Sequence, residues 1–205
     1  MSYDEYKMDI PEGEVGEWSV SRFVVDEEDA SIGQIQAMFS GHGRYVPAGT
    51  YTWLRRNGEV VMSDTPNEIR DHLSFIHQAH GRVLIHGLGL GMCVEACLRK
   101  DTVEHVTVVE NSPEVIELVG SHLKEKHGDR LEIIEGDAFT WPIPKGTRWD
   151  VAWHDIWDDL CTDNLEEMTR LHRRFGSRVG WQGSWGRDFL RDIRRRERRS
   201  VRGWG

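Results

Sequence analysis

One strand-turn-helix-strand pattern restricts the fold of this chain more than any other feature. The apolar run Val83-Leu84-Ile85 leads into Gly87-Leu88-Gly89-Leu90-Gly91, and apolar residues with helical spacing follow over residues 92–100. The β-branched run 106–109 then ends on Glu110, 23 positions after the first glycine of the turn (110 − 87). This order predicts a β-α-β unit with a glycine turn before its helix and an acid at the end of its second strand.

Such a unit favours a nucleoside-containing ligand. The glycines let the backbone approach a ligand closely, the helix N-terminus offers free N–H groups, and the acid can accept both hydroxyls of a ribose. A dinucleotide-dependent oxidoreductase is the alternative, but it requires Gly-x-Gly-x-x-Gly. Here the third glycine stands at 91 and Met92 follows it. The spacing therefore does not match the dinucleotide pattern.

The residues before this unit predict an extension built around a β-hairpin. Residues 1–17 are acidic and sparsely apolar, so we expect a poorly ordered start before a short strand near 18–25. Asn57-Gly58 separates two strand-like runs and predicts a hairpin over 50–63. Thr65-Pro66-Asn67-Glu68 then predicts an N-cap, a first-turn proline and a capping-box glutamate, hence a helix that stops before residue 81.

Strands and helices alternate after Glu110. Strands are expected over 131–134, 150–155 and 178–181, with helices after 111 and over 165–175. This alternation predicts an α/β fold, a doubly wound and mainly parallel Rossmann-like sheet with right-handed crossovers. We divide the chain into an extension, 1–64, and a Rossmann-like domain, 65–205.

Composition limits the classes that remain. No stretch of the 205 residues approaches the roughly 18 apolar residues of a membrane span, so we expect a cytoplasmic protein without a membrane partner. The three cysteines show no metal-type pairing, and no metal is expected. Cys93 and Cys97 lie four residues apart, which predicts one buried helical face.

The order of motifs resembles the class I S-adenosylmethionine-dependent methyltransferases, and among them most nearly the spermidine-synthase-like branch. The resemblance covers about residues 50–185. It rests on the hairpin and capped helix, on residues 83–91, on Val109-Glu110, on Gly136-Asp137-Ala138 and on residues 150–155. It implies a methyltransferase-type sheet, here with a reduced C-terminal end because few residues follow the fifth strand.

The resemblance also implies a site for S-adenosylmethionine, or for its decarboxylated form. The implied cofactor-binding residues are His86, Gly87, Gly89, Gly91, Met92, Glu110, Asn111, Asp137, Ala138 and Asp155. Asp155 is also the candidate base, although it could instead cap a helix, and Asp158 and Asp159 compete for its role. Tyr51, Trp53 and Trp157 are the candidate acceptor-binding residues. His154 should point to the opposite face from Asp155, because neighbours alternate along a strand.

Three functions stay open at this point. The first is methyl transfer to an unidentified acceptor, the second aminopropyl transfer, and the third a non-catalytic nucleoside-binding or assembly module. Leu90 stands where the spermidine synthases have an aspartate, and Glu68-Ile69-Arg70-Asp71 replaces their tyrosine and acid motif. These differences favour methyl transfer.

Charge is distributed unevenly along the chain, whose net charge is −9. Residues 1–35 carry ten acids and two bases (2 − 10 = −8), and residues 187–202 carry eight arginines and three acids (8 − 3 = +5). The arginine-rich segment is expected to be a helix. Its charge could offset the acidic segment, within one chain or across a homodimer, or could bind nucleic acid. The sequence favours charge pairing.

Overall fold

The N-terminal region forms an antiparallel sheet in the computed structural model, which describes residues 3–40 and 44–202. Its strands, β1 to β4, lie in chain order and cover Gly13–Val15, Trp18–Val25, Gly49–Arg56 and Glu59–Ser63. Asn57 and Gly58 connect the last two with φ of 50° and 84°. These positive values are those of a tight hairpin turn, so both the predicted hairpin and the strand at 18–25 are confirmed.

The segment before β2 is more ordered than its composition suggests. Met8 and Ile10 are buried in the core. The backbone N–H of Met8 donates to Asp64 Oδ2 at 2.9 Å, and Thr52 Oγ1 donates to the Met8 carbonyl at 3.2 Å. The expectation of a poorly ordered start was wrong for the described residues, because a few apolar side chains and two long-range hydrogen bonds hold this segment.

Helix α1, Glu27–Ser40, was not predicted. Its apolar side chains Ile32, Ile35, Met38 and Phe39 are exposed, and Ala37 is buried. The glycines and proline of residues 41–49 predict a loop after this helix, and 41–43 of it lie outside the described residues.

Helix α2, Pro66–Gln78, begins where Thr65-Pro66 predicts it. Its cap differs from the predicted capping box, since Thr65 makes no side-chain cap hydrogen bond. The Glu68 carboxylate instead accepts from the backbone N–H of Ser63 at 2.8 Å and from Ser63 Oγ at 2.7 Å. The glutamate therefore ties the helix to the end of β4.

The second sheet is parallel and has five strands. They are β5 (Gly81–His86), β6 (Val103–Glu110), β7 (Leu131–Glu135), β8 (Trp149–His154) and β9 (Val179–Ser184). Their order is β7-β6-β5-β8-β9, and all four neighbouring pairs are parallel. The order reverses direction beside β5, which places the switch point between β5 and β8, where open α/β sheets bind ligands.

Helices cover both faces of this sheet, as in a doubly wound fold. One face packs against α2, α3 (Met92–Leu98) and a helical stretch formed by α4 (Pro113–Val115), a π-turn (Ile116–Gly120) and α5 (Ser121–His127). The other face packs against α6 (Asn164–Phe175) and α7 (Arg187–Arg202). Val20 and Leu54 of the antiparallel sheet share the first core, so the two sheets form one packed unit.

The predicted Rossmann-like fold is confirmed. In the described part of the chain, β9 is followed by α7 and by no further strand. None of the described helices is both long and apolar enough to cross a membrane. The division at residue 64 stays a prediction.

Candidate functional site

A cavity of about 400 Å³ lies at the carboxyl ends of the parallel strands. The glycine loop after β5, the end of β6, the turn after β7 and the end of β8 form its floor and walls. Helix α2 and the antiparallel sheet close it from the other side through Glu68, His72, Leu54 and Met62. The strand ends that the sequence predicts to meet therefore do meet.

The glycine loop is held by close backbone contacts. Gly87 has φ of 87°, and a Cβ on it would lie 1.9 Å from the backbone oxygen of Asp155. Only glycine fits there, because both the conformation and the space exclude a side chain. Glu110, at 7% exposure, fixes the same loop: its Oε2 accepts the N–H of Leu88 at 2.7 Å, and its Oε1 accepts that of Ser112 at 2.8 Å.

Polar side chains surround the cavity beside Glu110. Asn111, Asp137 and Ala138 all line it, as predicted for a nucleoside site. Asp137 also closes its own turn, because its Oδ1 accepts the N–H of Phe139 at 2.7 Å. A carboxylate oxygen can accept more than one hydrogen bond, so Glu110 and Asp137 keep acceptor capacity for a ligand's hydroxyls and amine.

The opposite end of the cavity carries Asp155. Burial, with the Glu68 carboxylate as the next cause, raises the pKa of Asp155 to about 7. Burial also raises the pKa of Glu68. Near neutral pH a substantial fraction of Asp155 is therefore ionised and the rest holds a proton, which is the range in which a carboxylate works as a general base or acid.

His72 stands behind Asp155. Its Nε2 lies 3.7 Å from Asp155 Oδ2, and burial lowers the pKa of His72 to about 4, so its ring is neutral at pH 7. Its Nδ1 is buried without a hydrogen-bond partner among the described residues. A buried polar atom without a partner is uncommon in a folded protein, so this end of the cavity has hydrogen-bonding capacity left for a ligand.

Tryptophans form the wall around these groups. Trp18, Trp153, Trp157 and Trp185 all line the cavity. Trp157 Nε1 donates to Glu167 Oε2 at 2.8 Å, which fixes that ring at the rim. Aromatic faces attract cations, so the wall suits a sulfonium or an ammonium group.

Five of the predicted site residues lie outside the cavity lining. Gly91 packs over Leu123, where a Cβ would approach the side chain to 2.2 Å, and Met92 is 1% exposed in the core. Gly91 therefore lets the start of α3 pack closely against α5. Tyr51 donates to the Pro47 carbonyl at 2.9 Å, and Trp53 donates to Ser21 Oγ at 2.6 Å.

His86 is the fifth, and it belongs to a buried histidine cluster on the opposite face of the sheet. Gln182 Nε2 donates to the His172 carbonyl at 2.9 Å, which turns its Oε1 toward His154 Nε2 at 3.2 Å. His154 must then carry its proton on Nε2. Its Nδ1 accepts from His86 Nδ1 at 2.6 Å. Burial lowers the pKa of His154 to about 4, so the pair is neutral at pH 7.

Sequence reasoning missed Glu68, His72, Trp18 and Arg56 as cavity residues. Glu68 and His72 are four residues apart on α2 and therefore share one helical face, a signal that was available. Trp18 and Arg56 are partners across β2 and β3, a pairing that only the sheet register supplies.

Part of the chain is similar in sequence to two polyamine aminopropyltransferases. A polyamine aminopropyltransferase of Hyperthermus butylicus is 42% identical over 66 residues, which are 30% of this chain and 22% of that protein. One of Streptomyces coelicolor is 35% identical over 96 residues, 42% of this chain and 18% of that protein. The chain thus matches only about a fifth of the length of these curated relatives. No family model matches the chain.

Solved structures similar to this chain include a spermidine synthase and a methyltransferase. The spermidine synthase of Thermotoga maritima aligns with a TM-score of 0.47 and 20% identity, over 62% of this chain and 46% of that one. The CcbJ methyltransferase of Streptomyces caelestis aligns with a TM-score of 0.45 and 18% identity, over 57% of this chain and 47% of that one. The predicted resemblance is confirmed. The chain is similar to class I methyltransferases and spermidine synthases.

Proposed function

We propose that this chain binds S-adenosylmethionine and transfers its methyl group to an amine. One observation carries the proposal: a single cavity joins the glycine loop and Glu110 to Asp155, whose pKa burial raises to about 7. S-adenosylmethionine would supply the methyl group on its sulfonium. The fit of the site supports this ligand, since Gly87 leaves a backbone cradle and Glu110 keeps acceptor capacity for a ribose.

The residues of the chain divide the work between the two ends of the cavity. Glu110, Asn111, Asp137 and Ala138 would hold the nucleoside beside the glycine loop. Asp155 would orient the acceptor amine and accept the proton that the amine loses. His72 is neutral at pH 7, so it adds no positive charge beside the Asp155 carboxylate. Because transfer to an amine is an in-line displacement, alignment and one proton acceptor are the main tasks of the protein.

Titration calorimetry with S-adenosylmethionine and with its demethylated product tests the cofactor half. Glu110→Gln is expected to weaken binding at least tenfold, about 1.4 kcal/mol, because the amide has one acceptor oxygen where the carboxylate has two. Glu125→Gln, an exposed acid on α5, is the matched control and should bind like the unaltered chain. Absence of binding at millimolar ligand would reject the proposal.

Aminopropyl transfer is a second candidate, and two observations favour it. The curated relatives are polyamine aminopropyltransferases. Among the described residues, the cavity is lined by one arginine, Arg56, and by six acidic residues: Glu68, Glu110, Asp137, Asp155, Asp158 and Glu167. Decarboxylated S-adenosylmethionine lacks the carboxylate that such a lining repels. Leu90 weighs against it, because a fully buried leucine offers no charge to the aminopropyl amine.

Competition between the two sulfonium compounds separates these candidates. Tighter binding of the decarboxylated form, together with an amine product heavier by an aminopropyl group, would replace methyl transfer by the second candidate. A non-catalytic module is the remaining alternative. It would be supported if both compounds bind and cells producing the chain show the same methylated products as cells producing an Asp155→Ala variant.

A further inference from the structure

Helix α7 presents a row of arginines to solvent. Arg191, Arg194, Arg195 and Arg198 are all exposed. They stand at positions i, i+3, i+4 and i+7, so they share one face of the helix. At a rise of about 1.5 Å per residue the row is roughly 10 Å long, which concentrates four cations in one stripe.

Two acids of the N-terminal segment pair with bases of the antiparallel sheet. Asp9 pairs with Arg22 at 2.9 Å, and Glu17 pairs with Arg56 at 3.0 Å. Both bases belong to the antiparallel sheet. The charge pairing between this segment and α7 that the sequence favours within one chain therefore has no support in these ion pairs.

The acids of α7 offset its charge only in part. Asp188 lies 3.8 Å from Arg191, and Asp192 lies 3.1 Å from Arg195. Both pairs are exposed i, i+3 pairs within the helix, a kind that contributes little and that a stronger anion can displace. With eight arginines against three acids, residues 187–202 keep a formal charge of +5 (8 − 3) on a chain whose net charge is −9.

The apolar face of α7 is already in use. Leu190 is 1% exposed and Ile193 packs beside it against the core under α6. A basic amphipathic helix that binds a membrane needs its apolar face free to enter the lipid. Leu190 and Ile193 of that face are packed against the core and, among its described side chains, only the Phe189 ring, at 62% exposure, stays free beside the exposed guanidinium groups, which suit phosphates.

We propose that the arginine row of α7 binds the phosphate backbone of nucleic acid. Helix α7 begins two residues after Trp185, which lines the cavity. The proposal does not depend on the transferred group, and it holds or fails separately from the cofactor chemistry.

Fluorescence anisotropy of the full chain with labelled, mixed-sequence probes tests the row. Duplex DNA, single-stranded DNA and RNA of one sequence are compared. Four phosphate contacts predict a slope of log affinity against log salt of about −3 to −4 on duplex. Arg194→Glu/Arg198→Glu is expected to weaken binding at least about tenfold and to reduce the slope by about 2.

A matched control has the same change in net charge. Arg82→Glu/Lys145→Glu alters two exposed cations away from α7 and should leave the affinity within about twofold, since nonlocal charge acts weakly through salt. Association with any of the three probes that depends on the α7 pair supports the proposal. Urea denaturation of both double variants shows that each is folded.

Several results would overturn it. They are no association of the unaltered chain with any probe at low salt, equal weakening by the control pair, or binding to phosphatidylserine vesicles without binding to nucleic acid. Light scattering gives a further one: a dimer that the α7 pair dissociates, with no change in nucleic-acid binding, would assign the row to contact between copies.

Discussion

The two faces of β8 hold titratable groups that burial neutralises in opposite ways. His154 points into a closed cluster, where burial lowers its pKa to about 4 and removes its positive charge at pH 7. Asp155, the next residue, faces the cavity, where burial raises its pKa to about 7. The same physical cause, the cost of a charge away from water, thus produces a fixed neutral histidine and a carboxyl that titrates near neutral pH.

The surroundings of His154 and of Asp155 decide what each side chain can do. His154 has both ring nitrogens occupied, by His86 and by Gln182. Asp155 keeps 22% of its side chain exposed and has an incompletely satisfied histidine, His72, behind it. The closed cluster stabilises the sheet through the two hydrogen bonds of His154, although His86 Nε2 within it has no partner among the described residues. The open site at Asp155 can instead exchange protons with a ligand.

Asp155→Asn should have the largest effect on function. We expect product formation to fall by about 100-fold to 10,000-fold, because an amide cannot accept a proton. Formation of the demethylated cofactor with an amine acceptor that supports turnover is the measurement. Asp159→Asn, an exposed neighbour outside the cavity lining, is the control. Activity of Asp155→Asn within about threefold of the unaltered chain would remove Asp155 from the reaction.

His154→Ala should mainly affect stability. It leaves a cavity and takes away the hydrogen-bond partners of His86 and Gln182, so we expect the free energy of unfolding to fall by about 3 kcal/mol. Urea denaturation measures this, with the exposed His77→Ala as the control. A loss below about 1 kcal/mol would mean that the histidine cluster does not hold the sheet together.

The pH dependence of stability sharpens the contrast. The pKa of His154 is ordinarily 6.5 and is about 4 in the folded chain. Between these values the unfolded chain binds more protons, so stability falls as pH drops from 6.5 to 4. The pKa of Asp155 is ordinarily 3.8 and is about 7 in the folded chain. Between these values the folded chain binds more protons, so stability falls as pH rises from 3.8 to 7. Each contribution is about 3 to 4 kcal/mol at most.

The two contributions therefore oppose each other between pH 4 and 7. Denaturation of Asp155→Asn over this range should show a steeper rise of stability with pH than the unaltered chain, and His154→Ala should show a shallower one. Parallel curves for the two variants would contradict the opposite shifts.

Glu167→Gln should have the smallest effect. The amide oxygen can still accept from Trp157 Nε1, so we expect a change in the free energy of unfolding within about 0.5 kcal/mol. Removing one rim carboxylate should weaken binding of a cationic sulfonium by about twofold to threefold in calorimetry. Glu166→Gln, whose side chain is exposed and outside the lining, is the control. A change above about tenfold would mean direct contact with the ligand.

Much of the fold is readable from local patterns. The hairpin follows from Asn57-Gly58, since few other residues adopt its positive φ, and the start of α2 follows from Thr65-Pro66. The cap itself was misread, because Ser63 offers Glu68 two donors and competes with the capping box. Helix α1 was missed, since its exposed apolar residues give little of the buried periodicity by which a helix is recognised.

Tyr51 and Trp53, the predicted acceptor-binding residues of β3, lie on the face of that strand that does not line the cavity. Tyr51 and Trp53 alternate with Leu54 and Arg56, and the cavity is lined by the second pair. Side chains of a strand alternate between its faces, so a shift of one residue exchanges them. The sequence contains this alternation but not which face packs toward the parallel sheet.

The sequence by itself determined the glycine loop, the acids at the strand ends and their meeting point, because these depend on local conformation and on the parallel order of the strands. Only the tertiary structure decided the chemistry of Asp155. Its pKa depends on burial beneath α2 and on the charge of Glu68, which is 87 positions away in the chain (155 − 68). Desolvation and Coulomb interactions act through space, so no local pattern specifies them.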